Sequence, residues 1–238
     1  MAFENSYEDK IRAESYAKLE YPGTYYLAFR DIPELISRYA RGQRALDFGC
    51  GTGRSSRFLK KLGFDTTGID ISEEMLLLAR KFDPDGEYIR VESSDLANVK
   101  ARKFDLVLSA FTFDNIPLEN KIGLFTGLKD VLAGSGIIVN LVSTPDMYLN
   151  EWQSFSTKDY PENKNATSGD IVKIITTVVT DKRPVEDIIM TDEAYRKVYD
   201  EAGLKVLEMH NPLAKDDEPY EWVNETRIAP WSIYVLGK

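Results

Sequence analysis

At 238 residues, the chain is long enough for one well-buried α/β domain with a small appendage, and two independent domains are not expected. Its 39 acidic and 30 basic residues give a net charge of −9, and no long Lys or Arg run offsets them, so nucleic acid is disfavoured as a partner. No apolar run reaches membrane-spanning length and the start lacks a signal-peptide pattern, so we expect a cytoplasmic protein without a membrane partner. Cys50 is the only cysteine, which excludes an intrachain disulfide.

Residues 1–40 are predicted to form a helical cap ahead of the first strand. Aromatic and aliphatic residues recur among charged ones from residue 6 to residue 40, and the sequence Tyr21-Pro22-Gly23-Thr24 divides this segment into two helices. The many tyrosines suit a lid over a planar ligand. An aromatic stripe at helical spacing is equally typical of a core, so both interpretations stay open.

Residues 44–143 alternate between strands and helices, which is typical of a doubly wound parallel sheet. In such a sheet, every strand ends at the ligand-binding edge. The predicted strands are 44–48, 64–69, 87–92, 104–110 and 137–142, and the predicted helices are 54–62, 73–80 and 118–132.

The pattern changes after residue 143. Residues 144–168 read as a long ordered loop, and the β-branched runs 170–180 and 185–190 predict an inserted hairpin. A helix over 192–202, a strand over 205–210 and a final edge strand over 231–236 complete the chain. We therefore predict one domain: a three-layer, doubly wound, mostly parallel seven-stranded α/β sheet with an N-terminal helical cap and a β-hairpin insertion after strand five.

The first strand runs into a glycine-rich turn, Gly49-Cys50-Gly51-Thr52-Gly53, and then into a helix. Alternate glycines let the backbone bend sharply and approach a large polar ligand, and the next helix points its free N–H groups at that ligand. A dinucleotide-binding dehydrogenase would place its third glycine where Arg54 stands. With Asp47 before the turn and Asp70 ending the second strand, this segment instead resembles the class I S-adenosylmethionine (SAM)-dependent methyltransferases, including bacterial small-molecule methyltransferases.

The resemblance implies SAM as the cofactor. Asp70 would accept the ribose hydroxyls, Ile71 and Met75 would lie against adenine, and Asp95 would face the adenine amino group. Asp47 would orient the methionine amino group. The full predicted cofactor set is Asp47, Gly49, Cys50, Gly51, Gly53, Arg54, Asp70, Ile71, Met75, Ser94, Asp95, Leu96, Ala110 and Phe111.

Methyl transfer from a sulfonium is an in-line displacement, so a dedicated base is optional and positioning matters most. Asp114 and His210 are the catalytic candidates, although a cap role for Asp114 and a structural role for the lone histidine are alternatives. The acids are too scattered for a catechol-type Mg²⁺ site, so no metal is expected. Acceptor contacts are predicted from Tyr16, Tyr21, Phe113, Asn115 and Trp152.

These patterns predict a SAM-dependent methyltransferase that acts, as a monomer or homodimer, on N or O of a small planar molecule. Two alternatives remain. A protein methyltransferase would need an open groove in place of an enclosed cavity. A SAM-binding protein without transferase activity would keep the glycine turn and lack an acceptor site.

Overall fold

The computed structural model of the chain describes residues 9–17, 19–92 and 96–238. In chain order, its helices and strands are α1 Lys10–Ala17, α2 Thr24–Arg30, α3 Ile32–Tyr39, β1 Arg44–Phe48, α4 Arg54–Lys61, β2 Asp65–Asp70, α5 Glu73–Phe82, β3 Glu87–Arg90, α6 Ala97–Lys100, β4 Phe104–Ala110, α7 Leu118–Val131, β5 Leu132–Ser143, β6 Phe155–Ser156, β7 Ile171–Thr176, β8 Val185–Ile188, α8 Asp192–Glu201, β9 Lys205–His210 and β10 Trp231–Gly237. None of the helices described is long and apolar enough to cross a lipid bilayer.

The central sheet has seven strands in the order β3-β2-β1-β4-β5-β10-β9. Strands β1 to β5 pair in parallel, and β10 runs antiparallel to both of its neighbours. Leu106 and Leu108 of β4 pack with α2 and α3 on one face, whereas Val107 packs with α7 and α8 on the other. This alternation creates the three layers, and it confirms the predicted fold class.

The sequence predicted that the last strand lies at the edge of the sheet, and this prediction is wrong. Strand β10 lies between β5 and β9, and every one of its residues is buried. A nearly continuous apolar run is typical of a central strand, and residues 231–237 form such a run. The prediction of an edge strand relied instead on the position of this segment at the end of the chain. The edge strand is β9.

Two further boundaries differ from the prediction. Residues 24–39 form two helices, α2 and α3, because Pro33 has no N–H to donate and its ring clashes with the preceding turn. Strand β5 begins at Leu132, and the glycine-containing segment 133–136 bulges from the β4 pairing. A Cβ on Gly136 would lie 2.6 Å from the carbonyl oxygen of Phe104, so glycine permits this close approach.

The predicted hairpin after strand five is confirmed as β7 and β8, which pair antiparallel. The preceding segment 144–168 is more structured than a loop. It contains short 3₁₀ helices over Pro145–Tyr148 and Pro161–Asn165, and β6 adds a third strand beside β7. The insertion is therefore a small sheet that packs with the aromatic core beside α2.

Candidate functional site

A cavity of about 500 Å³ opens where β1, β2 and β4 end. Its volume lies in the range of small-molecule sites. The first turns of α7 form one wall, and Tyr16 of α1 reaches it from the cap. The predicted site residues that line it are Tyr16, Gly49, Gly51, Asp70, Ile71, Met75, Ala110, Phe111 and Asn115.

Backbone hydrogen bonds hold the glycine turn at the ends of β1 and β2. The N–H groups of Gly49 and Cys50 both donate to the carbonyl oxygen of Ile69, at 2.9 and 3.0 Å. A Cβ on Gly49 would lie 2.2 Å from Oγ1 of Thr112, so this glycine lets the turn pack against the end of β4. Gly51, at φ +51°, has only Met75 Cε within 4 Å of such a Cβ, at 3.6 Å, and it therefore offers its backbone to the cavity.

Asp70 joins this turn to the following helix. Its Oδ2 accepts from the Gly51 N–H at 2.8 Å, and its Oδ1 accepts from the Ser72 N–H at 2.9 Å. Ser72 in turn caps α5 by accepting from the Met75 N–H. Each carboxylate oxygen has more than one lone pair, so Asp70 can still accept hydroxyl groups from a ligand in the cavity that it lines.

Asp47 is fully buried beneath the turn and does not line the cavity. Its Oδ2 accepts from the hydroxyls of Ser55 and Ser56, at 2.7 and 2.5 Å. Among the described residues, its Oδ1 has no hydrogen-bond partner. Burial raises the pKa of Asp47 to about 6, although the two serine hydroxyls oppose that shift.

Phe111 follows β4 directly and has a strained conformation. Its φ is +64°, and within the described residues it is the one non-glycine position with a positive φ. Its carbonyl oxygen accepts from Nδ2 of Asn115 at 3.1 Å, and its N–H donates to Leu141 at 2.9 Å. Strain of this kind costs roughly 1–3 kcal/mol and concentrates at functional sites. Its position in the cavity wall marks this turn as part of the candidate site.

Several predicted cofactor contacts lie behind the cavity wall. The Cys50 side chain is buried, and burial raises the pKa of its thiol well above the usual value. Leu96 is part of the core beside α7, and Gly53 caps α4 at φ +77°. Arg54 directs its guanidinium away from the cavity into the aromatic cap. Ser94 and Asp95 lie outside the described residues.

The structure also relocates three predicted acceptor contacts. Phe113 is fully buried and stacks between Phe48 and Phe125. Trp152 is buried, and its Nε1 donates to the Met147 carbonyl at 2.8 Å. Tyr21 packs against core rings and donates to the Arg54 carbonyl at 3.3 Å. These aromatic side chains therefore support the cavity without lining it.

Asp114 belongs to a buried ionisable cluster. Its carboxylate accepts from the N–H and Oγ of Ser143, and Lys121 Nζ donates to the carbonyl of Phe113. Nearby, Asp187 of β8 accepts from the Tyr148 hydroxyl at 3.0 Å. Burial raises the pKa of Asp114 to about 6 and that of Asp187 to about 8, and it lowers the pKa of Lys121 to about 8. Asp114 does not line the cavity, so the predicted acceptor-orienting position is corrected to a buried one.

His210 lies at the end of the edge strand β9, three strands beyond β4 in the sheet. Its Nε2 pairs with Oδ2 of Asp31 at 2.7 Å. The predicted position near the ligand assumed that this strand lay within the core of the sheet. The structure places His210 outside the cavity wall, in a contact between β9 and the start of α3.

The sequence analysis missed the contribution of α7. This helix starts at Leu118, directly after the turn that follows β4, so its first turns face the edge where the strands end. That position was the available signal. The cavity residues not predicted are Phe48, Ile69, Val91, Thr112, Ile116, Pro117, Glu119, Asn120, Gly123 and Leu124.

Together, the sheet order, the glycine turn after β1 and the acid that ends β2 define a nucleoside-cofactor site at the switch point of a doubly wound sheet. Two features of the cavity wall fit SAM: Gly51 permits close approach, and Asp70 can accept hydroxyls. These are properties of the chain's own residues.

Comparisons with known proteins agree with this class. Residues 45–136 match the family described as "Methyltransferase domain". The ubiquinone biosynthesis O-methyltransferase of Bordetella avium is 34% identical over 86 residues, which cover 34% of this chain and 36% of that protein. The enzyme of the same name from Nitrosococcus oceani is 30% identical over 129 residues, which cover 50% of this chain and 55% of that protein. The matched part thus spans about a third to about half of these relatives.

Among solved structures, the CcbJ methyltransferase from Streptomyces caelestis has a TM-score of 0.68 at 16% identity, over 98% of this chain and 97% of that one. This likeness shows the fold. Residues 45–136 therefore resemble a methyltransferase domain, as the glycine turn predicted, and the matched segment includes Gly49, Gly51 and Asp70 of the cavity wall, a site that fits SAM as the cofactor.

Proposed function

We propose that this chain transfers a methyl group from SAM to a nitrogen or oxygen atom of a small planar molecule. The observation that carries the proposal is the cavity of about 500 Å³, because its wall includes both the glycine turn and Tyr16 of α1. A cofactor on the turn would therefore share one cavity with an acceptor beneath Tyr16. A shared cavity holds the reactants in line, which is the main demand of this reaction.

The chain's residues have distinct roles in this proposal. Asp70 accepts the ribose hydroxyls, while Ile71 and Met75 cover the adenine ring. Asp47 lies buried beneath the turn and outside the cavity wall, and it supports the cofactor site by accepting from the hydroxyls of Ser55 and Ser56. When bound, SAM supplies the electrophilic methyl group of its sulfonium.

The charge of the wall favours a neutral or basic acceptor. Among the described residues that line the cavity, Asp70 and Glu119 carry carboxylates, and no Lys or Arg is present. A phosphorylated acceptor would lose its hydration there without gaining a cationic partner. Tyr16 and Asn115 supply hydrogen-bonding groups, and Phe111 and Ile116 supply apolar surface. This combination suits a planar molecule with one or two polar atoms.

The relatives point in the same direction. Both are named for O-methylation in ubiquinone biosynthesis, which favours a small-molecule acceptor over a protein.

The experiment is incubation of the protein with methyl-labelled SAM and a metabolite extract freed of macromolecules. We expect labelled product in the small-molecule fraction. The Asp70→Ala variant should lose this labelling and bind S-adenosylhomocysteine at least about tenfold more weakly, because it removes the acceptor of the Gly51 N–H and of the proposed ribose contact. The matched control is Asp65→Ala at the opposite, exposed end of β2, which should retain both properties.

Two results would overturn the proposal. Absence of labelled product across broad extracts, with a protein that binds S-adenosylhomocysteine, would favour a binding protein without transferase activity. Label that appears only in an added protein fraction would favour a protein methyltransferase.

A further inference from the structure

We propose that Arg54 is a positioning residue that holds Tyr16 against the cofactor cavity and thereby ties closure of the cap to the glycine turn. The inference rests on the proposed function, since it concerns how the same cavity is closed. It assigns Arg54 a role other than the direct cofactor contact expected from the sequence.

The Arg54 side chain connects two segments that are far apart in the chain. Arg54 is the first residue of α4, directly after Gly53 of the turn. Its Nη1 donates to the carbonyl of Glu20 at 2.8 Å, and its Nη2 donates to the hydroxyl of Tyr16 at 3.1 Å. In return, Tyr21 donates to the Arg54 carbonyl at 3.3 Å. Tyr16, Glu20 and Tyr21 are therefore bound to the start of α4, with hydrogen bonds donated in both directions.

Aromatic rings enclose the guanidinium. Its Cζ lies 5.1 to 5.8 Å from four ring centroids, those of Tyr16, Tyr21, Tyr25 and Phe29. Arg54 is only 6% exposed, and no ion pair recorded for the described residues includes it. The rings and carbonyls thus stabilise a buried charge without a carboxylate at contact distance.

A buried cation is costly, so packing alone does not account for this residue. Moving a charge out of water costs several kcal/mol unless hydrogen bonds and nearby dipoles compensate. A methionine would fill much of the same space without that cost. What arginine adds is a planar group whose donors point in fixed directions, here at a carbonyl and at a phenol oxygen.

The hydroxyl oxygen of Tyr16 connects Arg54 to the cavity. Tyr16 lines the cavity, whereas Arg54 does not. Because a guanidinium has donors and no acceptor, the Tyr16 oxygen must accept from Arg54, which fixes the position of the phenol ring. Helix α1 supplies little apolar anchoring of its own, since Ala13 is its one buried hydrophobic residue and Ile11 is 70% exposed. Arg12 and Ser15 tie the helix to the β7–β8 hairpin, through the Pro184 carbonyl and the Asp181 N–H, whereas Arg54 donates directly to the phenol oxygen and thus acts on the Tyr16 ring itself.

Dissociation of S-adenosylhomocysteine, followed by stopped-flow fluorescence, tests this inference. We expect Arg54→Met to accelerate dissociation by about tenfold, because Tyr16 is no longer held at the wall. Arg54→Lys keeps the charge but loses the planar fork, and it should give a smaller acceleration. Tyr16→Phe keeps the ring and loses the accepting oxygen. The control is Arg102→Met, which removes a surface ion pair with Glu87 and should leave dissociation unchanged.

The decisive comparison is the double variant Arg54→Met/Tyr16→Phe. If Arg54 acts through Tyr16, the double variant should dissociate S-adenosylhomocysteine no faster than Arg54→Met alone. Multiplicative effects of the two substitutions would show that Arg54 acts independently, and would overturn the inference. Circular dichroism selects folded variants, and if Arg54→Met does not fold, the Arg54→Lys and Tyr16→Phe cycle gives the same two outcomes.

Failure here differs from failure of the proposed function. A wild-type protein that binds S-adenosylhomocysteine, with dissociation rates unchanged in folded Arg54 variants, overturns only the role of Arg54. A wild-type protein that does not bind S-adenosylhomocysteine overturns both proposals.

Discussion

Two sides of the cavity are held in different ways. On the glycine-turn side, backbone groups make the defining bonds: the Ile69 carbonyl accepts two N–H groups, and Asp70 accepts from two more. On the side formed by the cap and α7, side chains make the defining bonds. Arg54 donates to the Tyr16 hydroxyl, and Asn115 donates to the strained Phe111 carbonyl. A backbone-held wall depends on a few glycines and one acid. A side-chain-held wall depends on many distant residues, so it can change with the acceptor while the cofactor site stays the same.

The largest effect is expected on the backbone-held side. Gly51→Val places a β-branched side chain at φ +51° and directs its Cβ toward the cavity. We expect the affinity for S-adenosylhomocysteine, measured by isothermal titration, to fall at least about a hundredfold. Gly63→Ala is the matched control, because Gly63 has φ +92° and no atom within 4 Å of the added Cβ. It should cost about 1 kcal/mol of stability and leave the affinity unchanged. An equal loss of affinity in both variants would show that backbone strain, and not a Cβ in the cavity, weakens binding.

The next effect concerns the buried cluster behind the side-chain-held wall. Burial raises the pKa of Asp187 to about 8, so the folded protein keeps a proton that the unfolded chain loses near pH 4. This group therefore makes the free energy of unfolding fall as the pH rises from about 4 to about 8. Asp187→Asn mimics the protonated form and can still accept from Tyr148. Its stability relative to wild type should increase by at least about 1 kcal/mol over that interval.

Charged groups that face Asp187 act in the same experiment. Asp114 contributes its own fall in stability between about pH 4 and pH 6 in both proteins. Lys121, whose pKa burial lowers to about 8, contributes a rise above pH 8, outside the interval. Urea unfolding at pH 4, 6 and 8 measures the difference, with Asp65→Asn as the exposed control. A pH-independent difference between wild type and Asp187→Asn would show that Asp187 is ionised in the folded protein.

The smallest effect is expected outside both walls. His210→Ala removes the 2.7 Å contact with Asp31 at the edge of the sheet, and the cavity wall does not include His210. The variant should bind S-adenosylhomocysteine within about twofold of wild type, because a partly exposed side-chain contact contributes about 0–1 kcal/mol to stability and nothing to the wall. Methyl transfer measured with labelled SAM should be equally unaffected. A loss of transfer with binding intact would restore His210 as a catalytic candidate.

The same division explains what could be predicted from the sequence. Gly49, Gly51 and Asp70 are local in the chain and act through backbone geometry, so a short motif was sufficient to place them at the cavity. The parallel, doubly wound core of the sheet followed from the alternation of strands and helices. The misplacement of β10 came from its position at the chain's end, although its apolar pattern indicated a central strand.

The turn after β4 shows why the acceptor side was harder to predict. Residues Thr112–Asn115 form a 3₁₀ helix, in which positions three apart share a face. Thr112 and Asn115 therefore line the cavity, while Phe113 and Asp114 between them are buried. The sequence predicted that this turn contributes to the cavity wall. Which of its residues line the cavity depends on the turn type, which the sequence did not indicate. Trp152 and Arg54 were misplaced because their partners, Met147 and the cap, are fixed by tertiary packing.

The central claim is that the cofactor binds on the glycine turn and that the cap closes over it. Amide hydrogen exchange with and without S-adenosylhomocysteine tests this claim most directly, because it reports both walls in one experiment. The account predicts increased protection in peptides covering residues 47–54 and 69–75, together with peptides from the end of α1 to residue 23. Protection confined to other parts of the chain would contradict the assigned site, and protection of the turn without the cap would contradict the closure.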